Sequence, residues 1–88
     1  MARYKLLFKR SVTKDFRQIP KHDVEAILQR IEALANDPHP NGSEKLSGQE
    51  RYRIRQGVYR IIYEIIDEQL VVTVVKIGHR REVYKSSF

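Results

Sequence analysis

The spacing of hydrophobic residues changes along the first half of the chain, and each change marks a predicted element. In the first segment, Tyr4, Leu6 and Phe8 lie two residues apart, which is the period of a strand with one buried face. The apolar residues that follow are spaced four and three apart: they are Val12, Phe16 and Ile19. This spacing predicts a short helix, with Ser11 as its candidate N-cap.

A second, longer helix is predicted to begin near Pro20, because the fixed φ of proline suits a first helical turn. Asp23 then favours the positive end of the helix dipole. The apolar stripe of this helix has helical spacing and comprises Val24, Ile27, Leu28, Ile31, Leu34 and Ala35. The helix is expected to end near Asp37, because Pro38 follows. We interpret the stripe as a face that packs on a sheet.

The second half of the chain has the pattern of strands. Three runs rich in β-branched and aromatic residues cover residues 51–55, 58–66 and 70–77. The breaks between them are only two and three residues long, which predicts hairpins and therefore antiparallel neighbours. A strand, two helices and a three-stranded antiparallel meander make an α+β domain that spans residues 1–88. We expect one sheet with both helices packed on one face.

The first predicted hairpin gathers four arginines on one face of the sheet. With a turn centred on Gln56–Gly57, Arg53 lies opposite Arg60, and strand alternation adds Arg51 and Arg55 to the same side. We call this surface the arginine face. The other face collects the apolar and aromatic residues of both strands: Tyr52, Ile54, Tyr59, Ile61, Tyr63 and Ile65. Because these residues form a coherent core for the helices, they support the assignment of faces independently.

The charge of the chain indicates what the arginine face could bind. The chain has 17 Lys+Arg against 11 Asp+Glu, a net charge of +6, which favours a polyanionic partner. No Asp or Glu lies between Arg51 and Tyr63, although an idle surface would be expected to mix both signs. Guanidinium groups match phosphate oxygens in pairs. We therefore interpret the arginine face as a surface that holds phosphates, rather than as a merely solvated basic face.

The second hairpin and the tail complete this picture. Four largely apolar residues are expected on the same side as the arginines, namely Ile62, Val71, Thr73 and Val75. Either a partner protein or the folded-back tail would then cover them. Gly78 permits a turn out of the last strand, after which the tail would bring Arg80 or Arg81, and Tyr84, towards the arginine face. His79 is either an acid/base group or an ordinary residue at a strand end.

Composition excludes several classes of site. The chain has no cysteine, so neither a disulfide nor a thiolate metal site is available, and its three histidines lack metal-ligand spacing. No apolar stretch approaches the roughly 20 residues of a membrane span, and no signal-peptide pattern is present. We expect a cytoplasmic protein without a membrane segment, a metal or another cofactor.

Several segments, taken in order, resemble the RelE/ParE toxin superfamily and its RelE type in particular. They are KLSG at 45–48, YRIR at 52–55, GVYRIIY at 57–63, DE at 67–68 and GHRREVY at 78–84. The order of strands and helices matches as well, so the resemblance covers nearly the whole chain. It implies the toxin of a type II toxin–antitoxin module, an endoribonuclease that enters the ribosomal A site and cleaves mRNA.

The resemblance also implies roles for individual residues. The residues expected to carry catalysis are Arg53, Arg55, Arg60, Arg80 and Tyr84. The residues expected to bind RNA are Lys45, Arg51, His79 and Arg81. The reaction would be metal-free, with the 2′-hydroxyl attacking the adjacent phosphate. The partners implied are the ribosome, mRNA and a RelB-like antitoxin that is acidic or partly disordered, through which the complex would bind operator DNA.

Two questions stay open at the level of sequence. Arginine, with a pKa above about 12, is a poor general base, so the 2′-hydroxyl proton would go to His79, Tyr84 or the RNA itself. The function also has two alternatives. One is a ParE-type poison of DNA gyrase without nuclease chemistry, and the other is a basic RNA-binding module without catalysis.

Overall fold

The computed structural model describes residues 3–46 and 50–80. Their elements, in chain order, are β1 (Lys5–Phe8), α1 (Arg10–Arg17), α2 (Lys21–Ala33), β2 (Glu44–Lys45), β3 (Arg51–Gln56), β4 (Tyr59–Ile66), a short 3₁₀ turn (Asp67–Gln69) and β5 (Val71–His79). The predicted α+β class is confirmed. No helix in these two ranges is long and apolar enough to cross a membrane.

The strands form one mixed sheet in the order β1-β5-β4-β3-β2. The predicted antiparallel meander is present as β3, β4 and β5. Two features were not predicted: β1 runs parallel to β5, and the two-residue strand β2 pairs with β3 at the sheet edge. A parallel neighbour needs a crossover connection, and here α1, α2 and the meander separate β1 from β5.

Helix α1 begins directly where β1 leaves the sheet. The Lys9 amide donates to the Val74 carbonyl at 2.9 Å, and Lys9 is the N-cap residue without a side-chain cap. The prediction of Ser11 as N-cap was therefore wrong, because this last bond to the sheet sets the start of the helix and leaves Ser11 inside its first turn. Helix α2 begins after Pro20, as predicted, but it ends at Ala33 and not near Asp37, because the amides of the next residues bond to carbonyls only three residues back.

The core lies between the sheet and the two helices, and Val12 of α1 is buried in it. Most of the predicted stripe is buried, including Ile27, Ile31 and Leu34, whereas Leu28 is 41% exposed. From the sheet, all six residues predicted for the core face of β3 and β4 belong to this core. The largest fully buried side chain is Tyr63, whose hydroxyl donates to the Pro38 carbonyl at 2.9 Å. This bond fixes the loop after α2 against the middle of the sheet.

The register of the first hairpin differs from the prediction by two residues. Gln56 pairs with Tyr59, so the loop is Gly57–Val58 and not one centred on Gln56–Gly57. The cause is local: Gly57 has a φ of +60°, the conformation that a tight two-residue hairpin loop requires at its first position. Because side chains alternate with a period of two, a shift of two residues leaves every side chain on its predicted face.

Helix α1 also secures the far end of β5. Strand β1 pairs with β5 only as far as Val74, and beyond that point Asp15 of α1 takes over. Its carboxylate accepts the Ile77 amide at 3.0 Å and the Lys76 ammonium at 3.1 Å. On the side of β1, the end of β5 is thereby held by a side chain rather than by another strand, while its other side stays paired with β4.

Candidate active site

The hairpin register places the four predicted arginines on the face opposite to the helices. The Cα partners are Arg51 with Glu64, Arg53 with Ile62 and Arg55 with Arg60. The prediction that Arg53 lies opposite Arg60 was wrong, since the loop begins one residue later than expected. The directly opposed cations are Arg55 and Arg60, at the loop end of the hairpin.

Two of these arginines are held by acids. Arg51 Nε lies 3.0 Å from Glu64 Oε2, and Arg53 Nη2 lies 2.5 Å from Glu44 Oε2. Both side chains are largely covered, with 15% of Arg51 and 12% of Arg53 exposed. The expectation of a face without acids is therefore wrong for this half of the arginine face, because Glu64 follows Tyr63 directly and Glu44 comes from β2.

The other half of the arginine face is more open. Arg55 is exposed, and no hydrogen bond or ion pair joins its side chain to another residue of the described ranges. Arg60 is half-buried, and its Nη1 lies 3.4 Å from the Tyr59 carbonyl oxygen. Like charges directly opposite each other destabilise a sheet. Two positively charged residues are nevertheless directly opposed at the loop end of the hairpin.

Arg80 reaches this end of the sheet without the predicted turn. Gly78 does not end the strand; it lies within β5 and is the Cα partner of Arg60. The Arg80 amide then donates to the Val58 carbonyl at 2.7 Å, which continues the ladder up to the hairpin loop. The prediction that Gly78 turns the chain was wrong because its amide and carbonyl stay in register with β4. Arg80 nevertheless lies beside the Arg55–Arg60 pair.

His79 lies on the other face of the sheet. It is the Cα partner of Tyr59, and the two rings meet edge to face at 6.3 Å. The Tyr59 hydroxyl donates to Asp23 Oδ2 at 3.3 Å, and desolvation together with that carboxylate raises the pKa of Tyr59. The ring of His79 therefore belongs to the helix side, and this placement does not support an acid/base role at the arginine face.

The remaining predicted residues are divided between the sheet edge and the undescribed tail. Lys45 lies on β2 as the Cα partner of Tyr52, so alternation puts it on the helix side, and its Nζ is 3.6 Å from Glu50 Oε1. Arg81 and Tyr84 lie outside the described residues.

The apolar part of the arginine face is covered from within the chain. Ile62 and Val75 form a small buried cluster, and Leu46 packs against it. Val75 is the residue left over by a β-bulge between β4 and β5, where Ile62 pairs with Lys76 and Tyr63 with Val74. Sequence reasoning missed Leu46 and Glu44 as parts of this surface. In the sequence, these two positions stand out only as an acidic and an apolar residue within an otherwise turn-like segment.

Metal ligands do not gather in the described part of the chain. Within residues 3–46 and 50–80, no group of three or more His, Asp or Glu side chains is arranged to hold a metal ion.

A family model described as the ParE toxin of the type II toxin–antitoxin system parDE matches residues 6–84. The chain belongs to this family of toxins. Among similar curated proteins, the mRNA interferase toxin RelE of Escherichia coli K12 is 27% identical over 88 residues, which cover 96% of this chain and 93% of the relative. Toxin RelG of Mycobacterium tuberculosis is 26% identical over 86 residues, 93% of this chain and 97% of the relative.

Solved structures agree with this membership in the RelE/ParE superfamily. The archaeal RelE–RelB complex from Pyrococcus horikoshii contains a chain that matches with a TM-score of 0.80 and 27% identity, over 93% of this toxin and 99% of that chain. The isolated E. coli RelE toxin matches with a TM-score of 0.75 and 30% identity, over 93% of this toxin and 92% of that chain. The protein is thus a RelE-like toxin of a toxin–antitoxin module.

Proposed function

We propose that this toxin is a ribosome-dependent mRNA endoribonuclease that needs no metal ion. The observation that carries the proposal is the directly opposed pair Arg55 and Arg60, with Arg80 beside it at the hairpin loop. Three guanidinium groups at one end of a sheet suit a phosphate on which charge develops. The E. coli RelE relative is named an mRNA interferase, which supports the same reaction.

The proposed reaction is a transfer within the RNA. The 2′-oxygen attacks the adjacent phosphorus, the bond to the 5′-oxygen breaks, and the products are a 2′,3′-cyclic phosphate and a 5′-hydroxyl. The 2′-hydroxyl loses a proton and the departing 5′-oxygen gains one. We assign Arg60 and Arg80 to the charge that develops on the phosphate oxygens and Arg55 to holding the neighbouring phosphate.

Arg53 and Arg51 have a different part in this proposal. Each side chain is largely covered and paired with a carboxylate. Arg53 would therefore contact RNA only after giving up part of its hydrogen bonding with Glu44. We keep Arg53 as a catalytic candidate at the edge of the site, and we assign Arg51 to the RNA-binding surface that supports it.

Proton transfer is assigned to the tail or to the RNA. With His79 on the helix side, the candidates that remain for the 2′-hydroxyl proton are Tyr84 and the RNA itself. We propose that Tyr84 stacks on a base and assists this transfer. An enzyme without a strong base depends on its substrate being preorganised, which is why we place the reaction on the ribosome and hence in the cytoplasm.

An antitoxin is the proposed protein partner. The P. horikoshii structure is a complex of RelE with RelB, which supports a RelB-like antitoxin for this chain. The loop end of the arginine face carries the opposed cations Arg55 and Arg60, so we propose an acidic segment that orders on binding as its complement.

The test compares cleavage on and off the ribosome. Wild type, Arg60→Ala and Tyr84→Phe are added to a translation extract, and mRNA ends are mapped by primer extension. We expect new ends with the wild type only, and much slower cleavage of the same RNA without ribosomes. Toxin that has been treated with a chelator and desalted should retain its activity. Equal rates on free and ribosome-bound RNA would contradict ribosome dependence.

A DNA gyrase poison is the second candidate, because the matching family model is that of ParE toxins. A supercoiling assay with purified gyrase separates the two. Inhibition of gyrase together with unbroken mRNA would replace the nuclease by the gyrase poison. RNA binding that Arg60→Ala weakens, without any cleavage by the wild type, would instead identify a non-catalytic RNA-binding module.

A further inference from the structure

Helix α1 carries three cations on the side that faces away from the core. Arg10, Lys14 and Arg17 are spaced four and three residues apart, so they lie on one face of the helix. Val12 and Phe16, which pack into the core, lie on the far side of the helix. With 3.6 residues per turn, the three cations fall within an arc of about 60°. We call this surface the α1 ridge.

The α1 ridge is open to solvent. All three of its residues are exposed, and no hydrogen bond or ion pair joins their side chains to another residue of ranges 3–46 and 50–80. The one acid in this helix, Asp15, is turned to β5, where its carboxylate accepts the Ile77 amide and the Lys76 ammonium. The charge of the α1 ridge is therefore not neutralised from within its own helix.

The stability of α1 does not account for all of this charge. Lys14 and Arg17 lie in the last turn, where the helix dipole favours cations. Arg10 lies in the first turn, where the dipole disfavours a cation, and no acid accompanies it there. Arg10 and Lys14 are also like charges four residues apart, a spacing that destabilises a helix. Because the fold gains nothing from Arg10, a contact outside the chain explains the ridge better.

The residues around the three cations favour a nucleic acid as the partner. The other exposed residues of α1 are Ser11 and Thr13, so its outer surface offers hydroxyl groups and no apolar anchor. Protein interfaces depend on buried aromatic or apolar anchors and are poor in lysine. Phosphate backbones, in contrast, are bound by arginine, lysine and hydroxyl side chains. A helix lying on a membrane needs its apolar side for lipid, and that side of α1 packs into the core.

We propose that the α1 ridge binds the phosphate backbone of folded ribosomal RNA, as a contact separate from the one between the arginine face and mRNA. This inference rests on the proposed ribosome-dependent function. The ridge extends about 10 Å along the helix axis, a length over which an RNA duplex presents several phosphates. Contacts to phosphates position a protein without reading sequence. The ridge therefore serves to dock the toxin and contributes no reacting group.

The test replaces the three cations by glutamine, which removes the charge and keeps the helix propensity. Wild type and the triple variant Arg10→Gln/Lys14→Gln/Arg17→Gln are titrated onto purified small ribosomal subunits without mRNA. Each phosphate contact adds about 0.9 to the slope of log affinity against log salt, so between about 50 and about 200 mM salt wild type should lose about 40-fold more affinity than the variant. The melting temperature should stay or rise, because a repulsion is lost.

Cleavage provides a second readout. Because the α1 ridge holds the ribosome and not the reacting phosphate, the triple variant should raise the KM for ribosome-bound mRNA and leave kcat unchanged. A fall in kcat with an unchanged KM would place the ridge in the chemical step and overturn the docking role.

Arg3→Gln/Lys5→Gln/Lys21→Gln is the matched control, because it removes the same charge from exposed residues outside the α1 ridge. An unchanged salt slope in the ridge variant, or an equal change in the control, would overturn the inference. So would a ridge variant that binds subunits normally but loses affinity for the cognate antitoxin or for vesicles of anionic phospholipid. A wild type that binds subunits through the ridge and leaves mRNA uncut would defeat the proposed nuclease and support this inference.

Discussion

Arg55 and Arg60 are direct cross-strand partners at the loop end of the β3–β4 hairpin, although both carry positive charge. A sheet gains nothing from this pair, since like charges opposite each other are destabilising. The two cations farther along β3, Arg51 and Arg53, each have a carboxylate within ion-pair distance. The arginine face thus has one end where two cations oppose each other and another end where the arginines pair with acids.

Removing one member of this pair should raise the stability of the fold and lower the rate of cleavage. We expect Arg55→Ala to raise the free energy of unfolding by about 0.5 kcal/mol at low salt, because a repulsion is lost. Cleavage of ribosome-bound mRNA should fall by about 10²-fold or more, as for other donors aimed at developing charge. Urea unfolding and primer extension measure the two effects.

Lys21→Ala is the control for this prediction, since it removes the same charge from the exposed start of α2. It should change neither quantity by more than a small factor. A variant Arg55→Ala that loses stability and keeps its cleavage rate would mean that the pair is structural.

The ion pair between Arg53 and Glu44 predicts that neutralising the acid strengthens RNA binding. Glu44 is 65% exposed, so Glu44→Gln should lower the free energy of unfolding by less than about 1 kcal/mol. It also removes a negative charge beside a candidate phosphate contact, so affinity for RNA should rise and depend more steeply on salt. RNA titrations at several salt concentrations measure this. Unchanged affinity would indicate that Arg53 does not contact the RNA.

The faces of the first hairpin were predictable from sequence, whereas its register was not. Alternation along β3 and β4 is a property of each strand alone, so Tyr52, Ile54 and Tyr63 could be assigned to the core without knowing the loop. The register depends on which residues form the turn. In the structure, Gly57 takes the first position of the loop with a positive φ. From sequence alone, Gly57 fits the first or the second position of a two-residue loop equally well.

Features made by distant segments were beyond the reach of local patterns. Strand β2 has only two residues, too few to show a period, and its Glu44 neutralises an arginine nine residues away. The same holds for Asp15, which binds β5 from α1. Gly78 was misinterpreted because glycine permits a turn as well as a strand, and only its pairing with Arg60 distinguishes them.

Tyr63 should make stability depend on alkaline pH. Burial, the largest cause, raises the pKa of Tyr63 from 10.0 to about 12. In the unfolded chain tyrosine ionises near pH 10, whereas the folded protein keeps the proton to higher pH, so ionisation favours unfolding. The contribution is complete below about pH 10 and is lost as the pH rises towards 12.

The measurement compares wild type with Tyr63→Phe by urea unfolding between pH 8 and pH 11. At pH 8 the variant should be about 1–2 kcal/mol less stable, because the Pro38 carbonyl loses its donor. The difference should shrink as the pH rises, since only the wild type carries this ionisation, and Tyr4 and Tyr59 act equally in both proteins. A difference independent of pH would show that Tyr63 ionises as easily folded as unfolded.

Asp15 provides the last prediction, because it links α1 to the end of β5 that bears Gly78 and Arg80. Its carboxylate accepts both the Ile77 amide and the Lys76 ammonium. Asp15→Ala leaves the Ile77 amide without this acceptor and should cost about 1–3 kcal/mol. Asp15→Asn keeps an acceptor oxygen for the amide and should cost less. Hydrogen exchange at Ile77 should speed up strongly in the alanine variant and little in the asparagine variant. Because the strand end positions Arg80, cleavage by folded Asp15→Ala should fall more than cleavage by Asp15→Asn. Equal exchange rates in the two variants would mean that the ladder to β4 alone holds this end of the strand.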